Sequence, residues 1–190
     1  MAEKELTPEQ MKDLSAKITA LFSSTNIEKV TQVSTGFDEL PEGYFALSLL
    51  STELKFSRKD KPQAVLHFEV IEDGYNVGVD DRINRFVVMG RIQKTKGRKV
   101  NKYYNLETEK DAKTFVSDML KFQIDEAGGS LPKEAFERYD TIHEALTLLE
   151  GCSIFCQNSI SENKETGEKS SWLNLITFQR AKEYGLMDVK

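Results

Sequence analysis

Between Arg82 and Leu106 the chain reads "RINRFVVMGRIQKTKGRKVNKYYNL", with eight Lys or Arg and no Asp or Glu. The remaining 165 residues hold 18 basic and 31 acidic side chains, so the body carries −13 while the whole chain carries −5. Each cation set against a phosphate releases counterions, which gives affinity that is independent of sequence and falls with salt. Aromatic rings stand beside the cations: Phe86 ahead of them, Tyr103 and Tyr104 just after. Rings offer stacking to any base, at about 1–3 kcal/mol each. Cations and aromatics around a flexible Gly97 are the chemistry of a single-stranded nucleic-acid binder. Arg82, Arg85, Arg91, Lys94, Lys96, Arg98, Lys99 and Lys102 are the candidate phosphate contacts, and Phe86, Tyr103 and Tyr104 the candidate stackers. A duplex reader would instead bring a basic helix to a groove. No helical segment here is basic on one face; 107–126 is mixed in sign.

Other chemistries find little support. There is no GxxxxGK[ST] phosphate loop, no GxGxxG after a strand and no GxSxG elbow. Cys152 and Cys156 lie in an apolar strand pattern, which raises a thiol pKa and disfavours a thiolate nucleophile. Four residues apart on a strand they would be about 13 Å apart, beyond disulfide reach. His67 and His143 sit in unrelated contexts, so no metal or cofactor is expected. Asp73, Asp80 and Asp81 in "EDGYNVGVDD" read as a solvated turn. They are also the residues a metal-dependent nuclease would need. The protein is expected to be no enzyme.

The elements that must position these residues begin with a helix. Thr7, Pro8, Glu9 and Gln10 in "LTPEQ" form a capping pattern, and Met11, Leu14, Ile18, Leu21 and Phe22 recur on one face. That stripe can dock on its own domain or form a homodimer. Tyr44 to Val70 reads as a hairpin, with Leu66, Phe68 and Val70 inward and His67 outward. "RFVVMGRIQ" is a third strand with Gly90 at a bulge, and "KTKGRKVNK" a loop or ribbon tip around Gly97. Helical spacing returns from about 107 to 150, with Phe115, Met119, Leu120 and Phe122 inward and a stop at Gly151. "CSIFCQNSISENKETGEKSSWLNLITF" is a closing hairpin around a charged loop. On it Phe155 and Trp172 are either core residues or further stacking contacts, since tryptophan is highly buried on average.

The order helix, three strands, helices, two strands is that of an OB fold, and a generic α+β sheet has the same element string. The expected fold is therefore mainly β with α: a five-stranded antiparallel OB-like barrel with an N-terminal helix and a helical insert before its last two strands. Its parts are 1–30 (helix), 31–180 (barrel, insert about 107–150) and 181–190 (tail). With 30% charged and 39% apolar residues the chain is long enough to bury its own core. No apolar run approaches the roughly 20 residues of a membrane span, and "MAEKELTPEQ" lacks a secretory core, so a cytoplasmic protein is expected.

The run "LPEGYFALSLLSTELKFSRKDKPQAVLHFEVIEDG" resembles the opening of a phage family of single-stranded-DNA-binding or recombination-accessory proteins, many of whose members are uncharacterised. The resemblance lies in a turn at Leu40–Tyr44, a basic turn at Lys55–Lys61 and a strand at Leu66–Gly74. "LLEGCSIFCQNSISENKETGEKSSWLNLITF" is similar to the family's closing hairpin. Together these cover about 40–93 and 146–179. The resemblance implies an OB-fold protein that coats single-stranded DNA during phage replication or recombination, in the host cytoplasm, beside phage or host replication and recombination proteins. Bacterial single-strand binders commonly end in an acidic recruiting tail; "EYGLMDVK" does not match one. The rival function is a phage protein-interaction module that inhibits or redirects a host enzyme through charge complementarity, and the second rival is the metal-dependent nuclease.

Overall fold

One strand holds the sheet together. β1 (Gly43–Phe56) pairs antiparallel through its early residues with β6 (Ser153–Glu162), and through its later ones with β2 (Pro62–Val70) on its other side. β3 (Gly74–Asp80) continues along the β2 side after a short break, meeting β1 at Tyr44↔Tyr75. The chain then returns, β4 (Arg85–Ile92) on β3 and β5 (Lys99–Asn105) on β2. β7 (Lys169–Ile176) pairs with β6 beyond β1. The computed structural model describes residues 7–24, 40–124, 129–162 and 169–187. Among these, seven antiparallel strands form one mainly β, open sheet accompanied by four α-helices.

The expected sheet is corrected in three respects. The sheet has seven strands, not five, because the second and third long strands are each broken in two, at 71–73 and 93–98. And it does not close into a barrel: β5 and β7 face each other as unpaired edges. The glycine-rich segment before Arg82, read from sequence as a turn, is strand β3. Its glycines serve packing: a methyl on Gly74 would land on the ring of Phe45, and one on Gly78 would press against Met89. The loop expected around Gly97 forms as the 93–98 turn between β4 and β5, and the tip of the β3–β4 ribbon falls at 81–84.

α1 (Pro8–Ser24) starts as its sequence dictates, with Thr7 and Gln10 exchanging hydrogen bonds of 3.0 and 3.3 Å. Leu14, Ile18 and Phe22 are buried in the chain's own core, and Phe22 meets Phe115 edge-on at 5.9 Å. Each such side chain contributes about 1.5–3 kcal/mol. Met11 stays exposed. α2 (Glu109–Met119) is capped reciprocally by Thr108 and Asp111, and α3 (Tyr139–Leu149) follows a short 3₁₀ turn at Lys133–Phe136. Gly151, at φ +86°, ends α3, which suits a residue with no Cβ.

These helices cover the inner face of the sheet, where Phe45, Leu47, Leu49, Leu66, Phe68, Ile154 and Leu175 form the main core. A second, smaller cluster lies on the outer face beneath α4 (Phe178–Glu183), around Tyr75, Ile176, Ala181 and Tyr184. The boundary expected at residue 180 falls inside this helix. Among the described residues no helix is long and apolar enough to cross a membrane. Both cysteines are free.

Candidate nucleic-acid interface

Strand side chains alternate between faces, and that rule sorts the basic stretch. Tyr44 lies opposite Tyr75 and Ser48 opposite Glu69, whereas Phe45 and Leu47 point into the core, so Tyr75 and Glu69 mark the outer face. Following the register, Phe86 (opposite Val79), Val88 and Arg91 (opposite Tyr75) lie outward on β4. Lys99 (opposite Glu69), Asn101 and Tyr103 do so on β5. A bulge at Met89, beside Gly90, shifts the register within β4. Phe86, Arg91, Lys99 and Tyr103 therefore line one face of the return strand. Arg85 points to the opposite side of the ribbon, and Arg82 sits on its tip, its N–H donating to Asp80 at 2.9 Å.

Alternation also removes two candidates. Lys102 is 0% exposed and Tyr104 is buried, because both point inward from β5. Lys102 Nζ donates to the carbonyl of Leu173 on β7 at 2.5 Å and lies 3.6 Å from Asp118. Tyr104 donates to Asp118 at 2.7 Å. Lys121 completes the group, donating to Asp118 and, at 2.6 Å, to the carbonyl of Leu175. Lysine side chains thus satisfy edge carbonyls of β7 where β5 supplies no backbone partner. Lys102 and Tyr104 belong to this seam and cannot meet an external strand.

The cationic turn between β4 and β5 is pinned from below. Asp73 accepts from the N–H groups of Lys96 (3.1 Å) and Thr95 (3.0 Å), and these bonds hold its carboxyl below the usual range. Buried Thr95 donates to Ile92 O at 3.0 Å and accepts from Gly74 N at 2.9 Å. Lys94, Lys96 and Arg98 project into solvent from this fixed turn. Lys94 adopts φ +63°, and Arg98 Nε donates to its carbonyl at 3.2 Å. Asp73 and Asp80 are thus engaged in turn geometry. Among the described residues no three His, Cys, Asp or Glu gather closely enough to hold a metal ion.

Tyr103 is 42% exposed, and its hydroxyl accepts from Asn101 at 3.3 Å. Asn101 in turn meets His67 at 2.8 Å, and His67 lies 3.4 Å from Glu53. Burial alone would raise the Glu53 pKa, but the hydrogen bond and charge of Lys55 hold it below its usual value. His67 is outward-facing, as its place in the alternation requires. At the other end of the return strand Phe86 is 47% exposed, with its ring 4.7 Å from that of Tyr184. Tyr44 packs against Tyr184 at 5.3 Å. Burial, with Glu72 nearby, pushes the Tyr75 hydroxyl up to about 12, and Arg91 lies over its ring at 5.3 Å.

Phe155 and Trp172 lie on the outer face of β6 and β7, away from the main core. Phe155 is half-buried beneath Phe178, edge-on at 5.7 Å, so it helps seat α4. Trp172 is half-buried opposite Ser159, and its indole N–H donates to Ser161 at 3.2 Å. The tip of the β6–β7 loop, 163–168, lies outside the described residues. The residues that sequence reasoning missed are Tyr44, Arg180 and Tyr184, far from Phe86 in the chain and beside it in the fold. No sequence signal ties them to it. No family model matches the chain, and no match is found among curated proteins.

Proposed function

We propose that the protein binds single-stranded DNA without strong sequence preference, along the outer face of the β4–β5 return strand. One observation carries the reading: Phe86, Arg91, Lys99 and Tyr103 share that face, with the exposed cations of the pinned 93–98 turn between them. Phe86 and Tyr103 lie opposite Val79 and Val65, 14 residues apart along β2–β3, so the track is up to about 45 Å long. That length suits the range of about 4–16 nucleotides that one OB fold occupies. An acidic body would repel a polyanion elsewhere. β1 stands between β6 and β2, with β7 beyond one and β5 beyond the other, which is the strand order of an OB barrel. We read the fold as such a barrel left open along the β5–β7 seam and laced there by lysines. The sequence resemblance supplies the setting: a non-catalytic phage protein acting in replication or recombination.

A second reading rests on a separate observation. Met89 is 67% and Ile83 56% exposed, apolar side chains of the kind that dock proteins. Fluorescence anisotropy with oligo-dT separates the two. The expected result is salt-sensitive binding that Tyr103→Ala weakens by about 1–3 kcal/mol, roughly 5- to 150-fold. Replacing Lys94, Lys96 and Arg98 together by Ala lowers the log–log salt slope by about 2. Absence of binding at low salt refutes the proposal. Recovery of one host enzyme through Met89 and Ile83, without nucleic-acid binding, establishes the rival.

A further inference from the structure

We infer that α4 belongs to the same interface, and that Arg180 supplies a phosphate contact beside Phe86 from outside the basic stretch; this rests on the single-stranded-DNA reading above. The Phe86 ring lies 4.7 Å from that of Tyr184, tilted by 58°, and is 47% exposed. Tyr184 is itself buried, wedged edge-on against Tyr44 at 76°, so it buttresses Phe86 and does not offer a stacking face. Arg180 is exposed on α4. Its guanidinium carbon lies 5.6 Å from the Tyr184 ring centroid, and its Nε donates to the Tyr184 hydroxyl at 2.8 Å. With 4.7 Å from Tyr184 to Phe86, that carbon is at most 10.3 Å from the Phe86 centroid, the sum of the two separations.

A base stacked on Phe86 would carry its own backbone past this guanidinium. A planar guanidinium anchored through Nε is held in one orientation before the ligand arrives, which reduces the ordering cost of a charge-assisted contact. Arg91 lies 5.3 Å from the ring centroid of Tyr75, another tyrosine of the same outer cluster. Two arginines, each lying over a buried tyrosine, therefore accompany one exposed phenylalanine. Tyr184 is a positioning residue for both Phe86 and Arg180.

The test is an oligo-dT titration over a range of salt with the full chain and its Arg180→Gln, Arg180→Lys and Tyr184→Phe variants, each checked by thermal melting. Arg180→Gln is expected to lower affinity roughly tenfold and the salt slope by about 0.7, one phosphate fewer. Arg180→Lys restores the slope but not the full affinity, because an ammonium lacks the fixed fork. Tyr184→Phe keeps the buttress but frees the guanidinium, so affinity falls at unchanged slope. Equal slopes for the wild-type and Arg180→Gln proteins overturn the inference while leaving the parent reading intact. No binding by the wild-type chain overturns both.

Discussion

The seam between β5 and β7 allows a sharp test of what the buried lysines do. Asp118 is fully buried and shared: one oxygen takes Lys121 at 2.5 Å, while the other takes the Tyr104 hydroxyl at 2.7 Å and faces Lys102 at 3.6 Å. Asp118→Asn keeps the volume but removes the charge, and its amide N–H₂ must then oppose either the Tyr104 hydroxyl or an ammonium. Removing one partner of a buried pair typically costs about 3–5 kcal/mol, because the remaining charge stays buried. That is a large part of the roughly 5–15 kcal/mol that holds a domain folded. For a chain of this size it corresponds to a loss of about 6–20 °C in Tm. Urea denaturation followed by far-UV circular dichroism, with the m value checked for constancy, measures it. A loss below about 1 kcal/mol, the level of an exposed pair, refutes the argument. The triple change Lys102→Met, Asp118→Leu, Lys121→Met sharpens it. Swapping a buried ionic group for apolar residues is often neutral, or stabilising by about 1–4 kcal/mol. Here the carbonyls of Leu173 and Leu175 would also lose their donors, at about 1–3 kcal/mol each. The triple variant is therefore expected to be no more stable than the wild type, and a clear gain would mean that the lysines do not act as ladder donors.

Two further predictions concern the ribbon. Gly74→Ala drives a methyl onto the buried Phe45 ring and should cost about 1–3 kcal/mol in a thermal melt, whereas Gly90→Ala, with nothing within 4 Å, should stay within about 0.5 kcal/mol; equal effects would show that Gly74 is not packed as described. Asp73 has a depressed folded-state pKa, so its stabilising contribution is complete above the unfolded value of about 3.9 and is lost as pH falls through the lower folded value. The amide signals of Thr95 and Lys96 should therefore hold steady from neutral pH down to about 4 and titrate only below it; a midpoint at or above the unfolded value would mean the two backbone bonds do not form in solution.

Local grammar was legible where the local environment decides the structure. The Thr7–Gln10 cap, the Leu14–Ile18–Phe22 stripe and the stop at Gly151 each depend on neighbours within a few residues. β3 was misread because Gly, Asn and Asp are turn formers by default. What makes "GYNVGVD" a strand is the Phe45 ring over Gly74 and the Met89 side chain over Gly78, contacts set by distant residues. The seam was invisible for the same reason, since the lysine on β5 and its acceptor on β7 are 71 residues apart. Adjacent Tyr103 and Tyr104 are different. Period-two alternation alone forbids both from facing out, and applying it to "KVNKYYN" would have separated the stacker from the core residue.

That alternation changes what the basic stretch is. Eight cations in sequence suggest a ribbon that grips phosphates along its whole length, which at about 0.7 per phosphate means a salt slope near −5.6. In the fold Lys102 is spent on the seam, Arg85 faces the other side of the ribbon, and Arg82 sits at its tip. Arg91, Lys94, Lys96, Arg98 and Lys99 remain along the track, and Arg180 joins them from a helix about 80 residues later in the chain. Six cations along the track give a slope near −4. The two values differ by more than a careful titration's error, so the slope itself tells a linear charged tract from a folded face. A value near −5.6 would mean that the stretch works as a tract and that its place in the sheet is incidental. A value near −4 that falls toward −3.5 in Arg180→Gln would mean that the sheet and α4 select which of these charges the DNA meets.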